Sequence, residues 1–131
     1  MSPQEIYKKV IDSADRFGAD NPQQFNLLLS QLSRYSHENV FLGLIAVFTS
    51  EHPLGNLFQR QELAGRLLAE IKPHFVFDLE STIRSTLPSY NRSIEQLPKH
   101  FSEVHGLSNV LFSLNKIESE GLTQGKRMIS V

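Results

Sequence analysis

Cysteine is absent from the 131 residues. That removes disulfides, thiolate metal sites and a cysteine nucleophile, and it fits a reducing compartment. Neither sign of charge is in excess. Thirteen basic residues face fourteen acidic ones, a net of −1, so no long-range field draws the chain to a phosphate backbone. Nucleic acid is therefore not an expected partner. The longest apolar stretch, Val40–Phe48, is nine residues, against about twenty for a membrane-spanning helix. The opening MSPQEIYKK lacks the apolar centre of a signal peptide. No membrane association is expected, and the expected location is the cytoplasm.

Signature motifs are missing as well. There is no G-x-G-x-x-G, no P-loop, no G-x-S-x-G and no H-E-x-x-H. The remaining composition is that of one folded domain. Apolar residues make up 40% and charged residues 21%, too apolar for a disordered chain. A domain of this length buries roughly two-thirds of its unfolded surface, enough for a core without staples.

The chain is organised around residues 21–50, where only Arg34 and Glu38 are charged. The run VFLGLIAVF predicts a helix over 36–50 that is covered on all sides. Around it the spacing predicts helices at 3–17, 22–34, 57–71, 75–86, 92–105 and 107–120. Ser2 and Glu5 have capping-box spacing with Pro3 between them, and Asn21-Pro22 repeats the start signal. The short Tyr35-Ser36 link predicts that the second and third helices pack as antiparallel neighbours. Helix five is expected to bury Val76, Leu79 and Ile83. Pro98 is expected either to kink helix six or to open a fresh helix. The stretch 51–56 is expected to turn, and 122–131 forms a tail beyond a single domain of 1–121. The fold class is all-α, with six to seven short antiparallel helices in a compact bundle or a short HEAT-like stack of helical hairpins.

Five carboxylates have a basic residue four positions later: Glu5–Lys9, Asp12–Arg16, Glu62–Arg66, Glu80–Arg84 and Glu95–Lys99. That order stabilises exposed helices, so these pairs read as solvated faces rather than acid–base machinery. His100, Glu103 and His105 do not converge on one helix face, and no metal ligand set is expected. His37, His52 and His74 fall near helix ends, where capping is the commoner role. Gly43 and Gly65 inside helices point to close helix–helix approach.

Two stretches remain as candidate contact surfaces, both for a protein partner. Pro88–Arg92 gathers Tyr90, Asn91 and Arg92, with Lys99 and His100 beyond, and Tyr and Arg are enriched at binding hot spots. The polar face of helix two is uncharged. Its Gln24 and Gln31 are expected to point away from the inward Phe25, Leu28, Leu29 and Leu32, making 22–34 a candidate homodimer face. Lys126 and Arg127 are too few for a nucleic-acid arm. The function expected is a non-catalytic helical module that binds another protein or itself, with no cofactor and no catalytic residue. The alternative is a small-molecule binder or enzyme with a pocket between helices near His37, His74 or His100.

Overall fold

The computed structural model describes residues 1–49 and 56–120. Within them the chain forms seven helices and no strand: α1 Pro3–Phe17, α2 Pro22–Leu32, α3 His37–Thr49, α4 Leu57–Ile71, α5 Leu79–Thr86, α6 Gln96–His105 and α7 Leu107–Ser119. Residues 51–55 of the turn expected at 51–56, with His52 among them, and Gly121 and the tail 122–131 lie outside the described residues.

Local chemistry sets the helix starts. Ser2 and Glu5 exchange both bonds of a capping box, the Glu5 carboxylate accepting from the Ser2 N–H at 3.0 Å. That bond holds the Glu5 carboxyl below its ordinary range. Asn21, Asn56 and Asp78 cap α2, α4 and α5 with one bond each, the side chain accepting from the backbone N–H three residues on. Ser36 accepts from the Asn39 N–H at the start of α3.

The bundle is built on α3. Val40, Phe41, Leu44, Ile45, Val47 and Phe48 are buried, and α1, α4 and α5 cover them. α1 lies closest, because Gly43 lets it in. A Cβ at Gly43 would stand 2.6 Å from the Ile6 side chain and 2.9 Å from the Pro3 carbonyl oxygen. Cover is not complete, since Leu42 stays 39% exposed. The contacts are those of a compact bundle, because α1 reaches both α3 and α4 and the second half docks through α4 against α6 and α3 against α5. In a hairpin stack each unit would touch only its neighbours.

Several expectations change. α2 ends at Leu32, and its main neighbours are α1 and α4 rather than α3. Of the five acid–base pairs, only Glu80–Arg84 forms among the described residues. Arg66 turns to Asp20 and the Ala19 carbonyl, and its guanidinium covers the Phe25 ring. Buried Arg60 instead grips Asp15 with two bonds of 2.8 and 2.6 Å. α6 begins at Gln96, so Pro98 falls in its first turn, where no backbone donor is needed. Residues 73–78 are not helical.

Candidate functional site

Pro73 stops α4, and Lys72 closes it in a left-handed conformation at φ 48°. From there the chain runs extended to Asp78, which caps α5 by accepting from the Ser81 N–H at 2.9 Å. Side chains along an extended segment alternate. Phe77 is buried and Phe75 half-buried, while Val76 between them is 79% exposed. The residue expected to anchor helix five is thus the most open large apolar side chain among the described residues. The missed signal was short and local, an aromatic and β-branched Phe-Val-Phe run bounded by proline and a capping aspartate.

Phe77 is the centre of an aromatic cluster. Its ring stacks on Phe41 at 4.4 Å, tilts against Phe101 at 5.3 Å and meets His105 edge-on at 4.7 Å. His100 lies over both Phe41 and Phe77, at 5.7 and 6.1 Å. His105 Nε2 donates to the Phe77 carbonyl at 2.9 Å. On the other side, His37 and His74 stack at 5.2 Å, and His37 Nδ1 accepts from the His74 backbone N–H at 2.6 Å.

The N–H groups of Phe75, Val76, Phe77 and Asp78 have no hydrogen-bond partner among the described residues. Two clefts flank Val76. One, of about 380 Å³, is bounded by Lys72, His74, His100, Glu103 and Val104. The other, of about 460 Å³, is floored by Phe41, Leu42 and Ile45 and edged by Ser81 and Ser85.

His100 is 4% exposed, and its Nε2 is enclosed with no partner among the described residues. Burial pulls its pKa below the ordinary value, with Glu103 opposing. Among the described residues no three His, Asp or Glu side chains group as a metal site, and no helix is long and apolar enough to cross a membrane.

The contact surface expected at 88–100 does not assemble as one face. Tyr90 is 2% exposed, packed near Phe48 with its hydroxyl donating to the Ile94 carbonyl at 2.6 Å. Burial raises its pKa to about 12, Glu95 adding to the rise. His100 belongs to the aromatic cluster. Asn91 is half-buried, and its N–H donates to Gln61 Oε1 at 2.8 Å. Of the five candidate residues only Arg92 and Lys99 are exposed. Fully buried Gln61 also donates to the Ser89 carbonyl, and so pins the whole loop to α4.

On α2, Gln24 and Gln31 are half-buried beside the inward stripe, and Gln31 Oε1 is enclosed without a partner among the described residues. The open face is instead Gln23, Asn26, Leu27 and Ser30. It keeps the expected lack of charge but carries different residues. Compared with protein-family models, curated proteins and solved structures, the chain matches none.

Proposed function

We propose that the protein is a non-catalytic helical module that binds an extended segment of another polypeptide along Phe75–Asp78. The observation supporting this is the run of four backbone N–H groups without partners among the described residues, beside the outward Val76. A peptide laid along such an edge gains main-chain bonds, and its alternate side chains need recesses on either side. The clefts flanking Val76 supply them, one floored by apolar side chains and one carrying Lys72, His74 and Glu103 at its rim. Edge pairing of this kind needs neither a charged face nor a cofactor.

The test is selection of a random displayed-peptide library on the purified protein, followed by titration of the selected peptides. Peptides should bind in the micromolar range, about 8 kcal/mol at 1 μM. Val76→Pro removes a backbone donor and should weaken them at least about tenfold with the fold intact. No selected peptide, or binding indifferent to both Val76→Pro and Leu42→Glu, would end this reading. A second reading rests on the enclosed, unpartnered His100 Nε2 beside the 380 Å³ cleft. It makes that cleft a small-molecule site, and a metabolite that raises Tm in wild type but not in His100→Phe would favour it.

A further inference from the structure

Exposure alternates along the extended segment. Pro73 and Phe77 are buried and Phe75 is half-buried, while His74, Val76 and Asp78 are all exposed. The outward face therefore carries an imidazole, an apolar group and a carboxylate in that order. The inward face anchors the segment. Phe77 stacks on Phe41 and packs on Phe101, and Asp78 is fixed as the cap of α5. The strand is held extended before anything binds, so pairing with it costs little ordering.

That order of side chains is complementary to itself when the chain direction is reversed. Two antiparallel copies related by a two-fold axis at Val76 place Val76 against Val76, Phe75 against Phe77, and His74 of each against Asp78 of the other. Among antiparallel registers this one alone opposes His74 and Asp78, and it uses every residue from 74 to 78. Parallel copies in register would set Asp78 against Asp78, and like charges directly opposite are destabilising. An imidazole N–H donates to a carboxylate, which can accept more than the one bond Asp78 takes from the Ser81 N–H. Charges around the pair are mixed: Lys72, at the same rim as His74, favours an incoming carboxylate, and Glu103 opposes it. Successive residues address opposite edges of a strand. N–H groups without partners among the described residues stand on both, Val76 and Asp78 on one and Phe75 and Phe77 on the other.

We infer that the occupant of this edge is a second copy of the chain, joined as a two-stranded antiparallel ribbon with Val76 on the two-fold axis. The inference rests on the docking reading and names its partner. Leu42, 39% exposed, borders the cleft beside Val76 and adds apolar surface there. A ribbon spanning only residues 74–78 of each copy falls short of the roughly 1,000 Å² of a stable interface. The dimer is accordingly weak, with a dissociation constant of about 10–100 μM.

The chain has no cysteine, so Val76→Cys carries a single thiol. Opposed residues on antiparallel strands have Cα atoms about 4.5–5.5 Å apart whichever edge pairs, within the disulfide span of about 4.4–6.8 Å. Under a mild oxidant Val76→Cys should cross-link at least about tenfold faster than the exposed control Leu27→Cys, because a formed pair makes the step intramolecular. Sedimentation of the wild type from about 10 to 300 μM should show a monomer–dimer equilibrium. His74→Asp and His74→Lys lose the same ring and its stack on His37, yet they should diverge. The first sets Asp against Asp78 twice per dimer and should weaken it at least about tenfold, while the second should keep or tighten it. Circular dichroism checks helicity, and if His74→Asp loses it the cross-linking rates decide alone. A wild type that stays monomeric, folded His74 variants that behave alike, or a Val76→Cys no faster than Leu27→Cys overturns the inference. Selected peptides that bind a monomer along Phe75–Asp78 overturn the pairing and leave the docking reading standing. A dimer with the expected responses but no selected peptide supports the pairing and ends the reading of a foreign partner.

Discussion

The Tyr90 hydroxyl donates to the Ile94 carbonyl at 2.6 Å, and that carbonyl is the one Pro98 cannot serve. In a continuous helix the N–H of residue 98 would bond to it, and proline has none. The two residues are thus coupled: α6 is free to carry Pro98 in its first turn, and Tyr90 satisfies the acceptor left behind.

This coupling predicts an alkaline weakness. Tyr90 holds its proton in the folded state up to about pH 12, while an unfolded tyrosine ionises near 10. The folded state then binds more protons than the unfolded one, so stability falls as pH rises from about 10 through 12, by up to about 2 kcal/mol. Below pH 10 the term is constant. Tyr90→Phe should cost about 1–3 kcal/mol at neutral pH, because a buried carbonyl loses its donor. It should also flatten the alkaline decline. Denaturant melts at pH 8 and pH 11 check both, and an equal decline in the variant would refute the assignment.

Arg60 and Asp15 join α4 to α1 in the same direct way, with a guanidinium that is almost wholly buried. Removing the carboxylate strands that charge. Asp15→Ala should destabilise by about 1–3 kcal/mol, less than a fully buried pair because Asp15 keeps contact with solvent. Arg60→Met together with Asp15→Ala should recover part of the loss. A double variant as weak as the sum of the two singles would show that the pair is not coupled.

The α1–α3 contact gives a pair of packing tests. Leu44→Ala opens a cavity in a fully buried position and should cost about 2–5 kcal/mol. Gly43→Ala adds one methyl where Ile6 and the Pro3 carbonyl oxygen already stand, and backbone cannot move as a side chain tip can. Its cost should be about 1–3 kcal/mol despite the gain in helix propensity. Glu62→Ala, on an outer position, should change stability by less than about 0.5 kcal/mol. Chemical melts rank the three, and a neutral Gly43→Ala would mean the helices can separate at no cost.

Wherever a signal was local, the sequence was legible. Ser2 with Glu5, Asn21 with Pro22 and the apolar run of α3 placed helices that the structure contains. The misreadings share a cause in long-range partners. Tyr90 and His100 sit in a stretch rich in loop and surface residues, yet Gln61, some 30 residues away, draws that loop inward. Arg60 and Arg66 find carboxylates more than 40 residues off, across helices whose packing no i, i+4 rule encodes. Segment 73–78 is the exception, since its extended form was announced locally by Pro73, the Phe-Val-Phe alternation and the Asp78 cap. The helical spacing of Leu79 and Ile83 behind it extended the helix too far forward.

Self-association through α2 is a second reading of the partner, and its face must be redrawn. α1 and α4 hold the inward side, which leaves Gln23, Asn26, Leu27 and Ser30 outermost. Solvent-facing helix positions usually carry Lys and Glu, which favour helix and keep molecules apart. This face has neither, and its Leu27 is 50% exposed. A second copy would cover Leu27 and meet amides and a hydroxyl without burying a charge, which would otherwise be costly. Sedimentation at tens of micromolar, about where weak dimers form, should find a dimer in the wild type. Leu27→Glu should return it to monomer with helicity unchanged. Gln24→Glu should act differently, lowering stability through its half-buried position and leaving the residual association intact. A wild type that sediments as a monomer, or a dimer unmoved by Leu27→Glu, removes α2 as the interface.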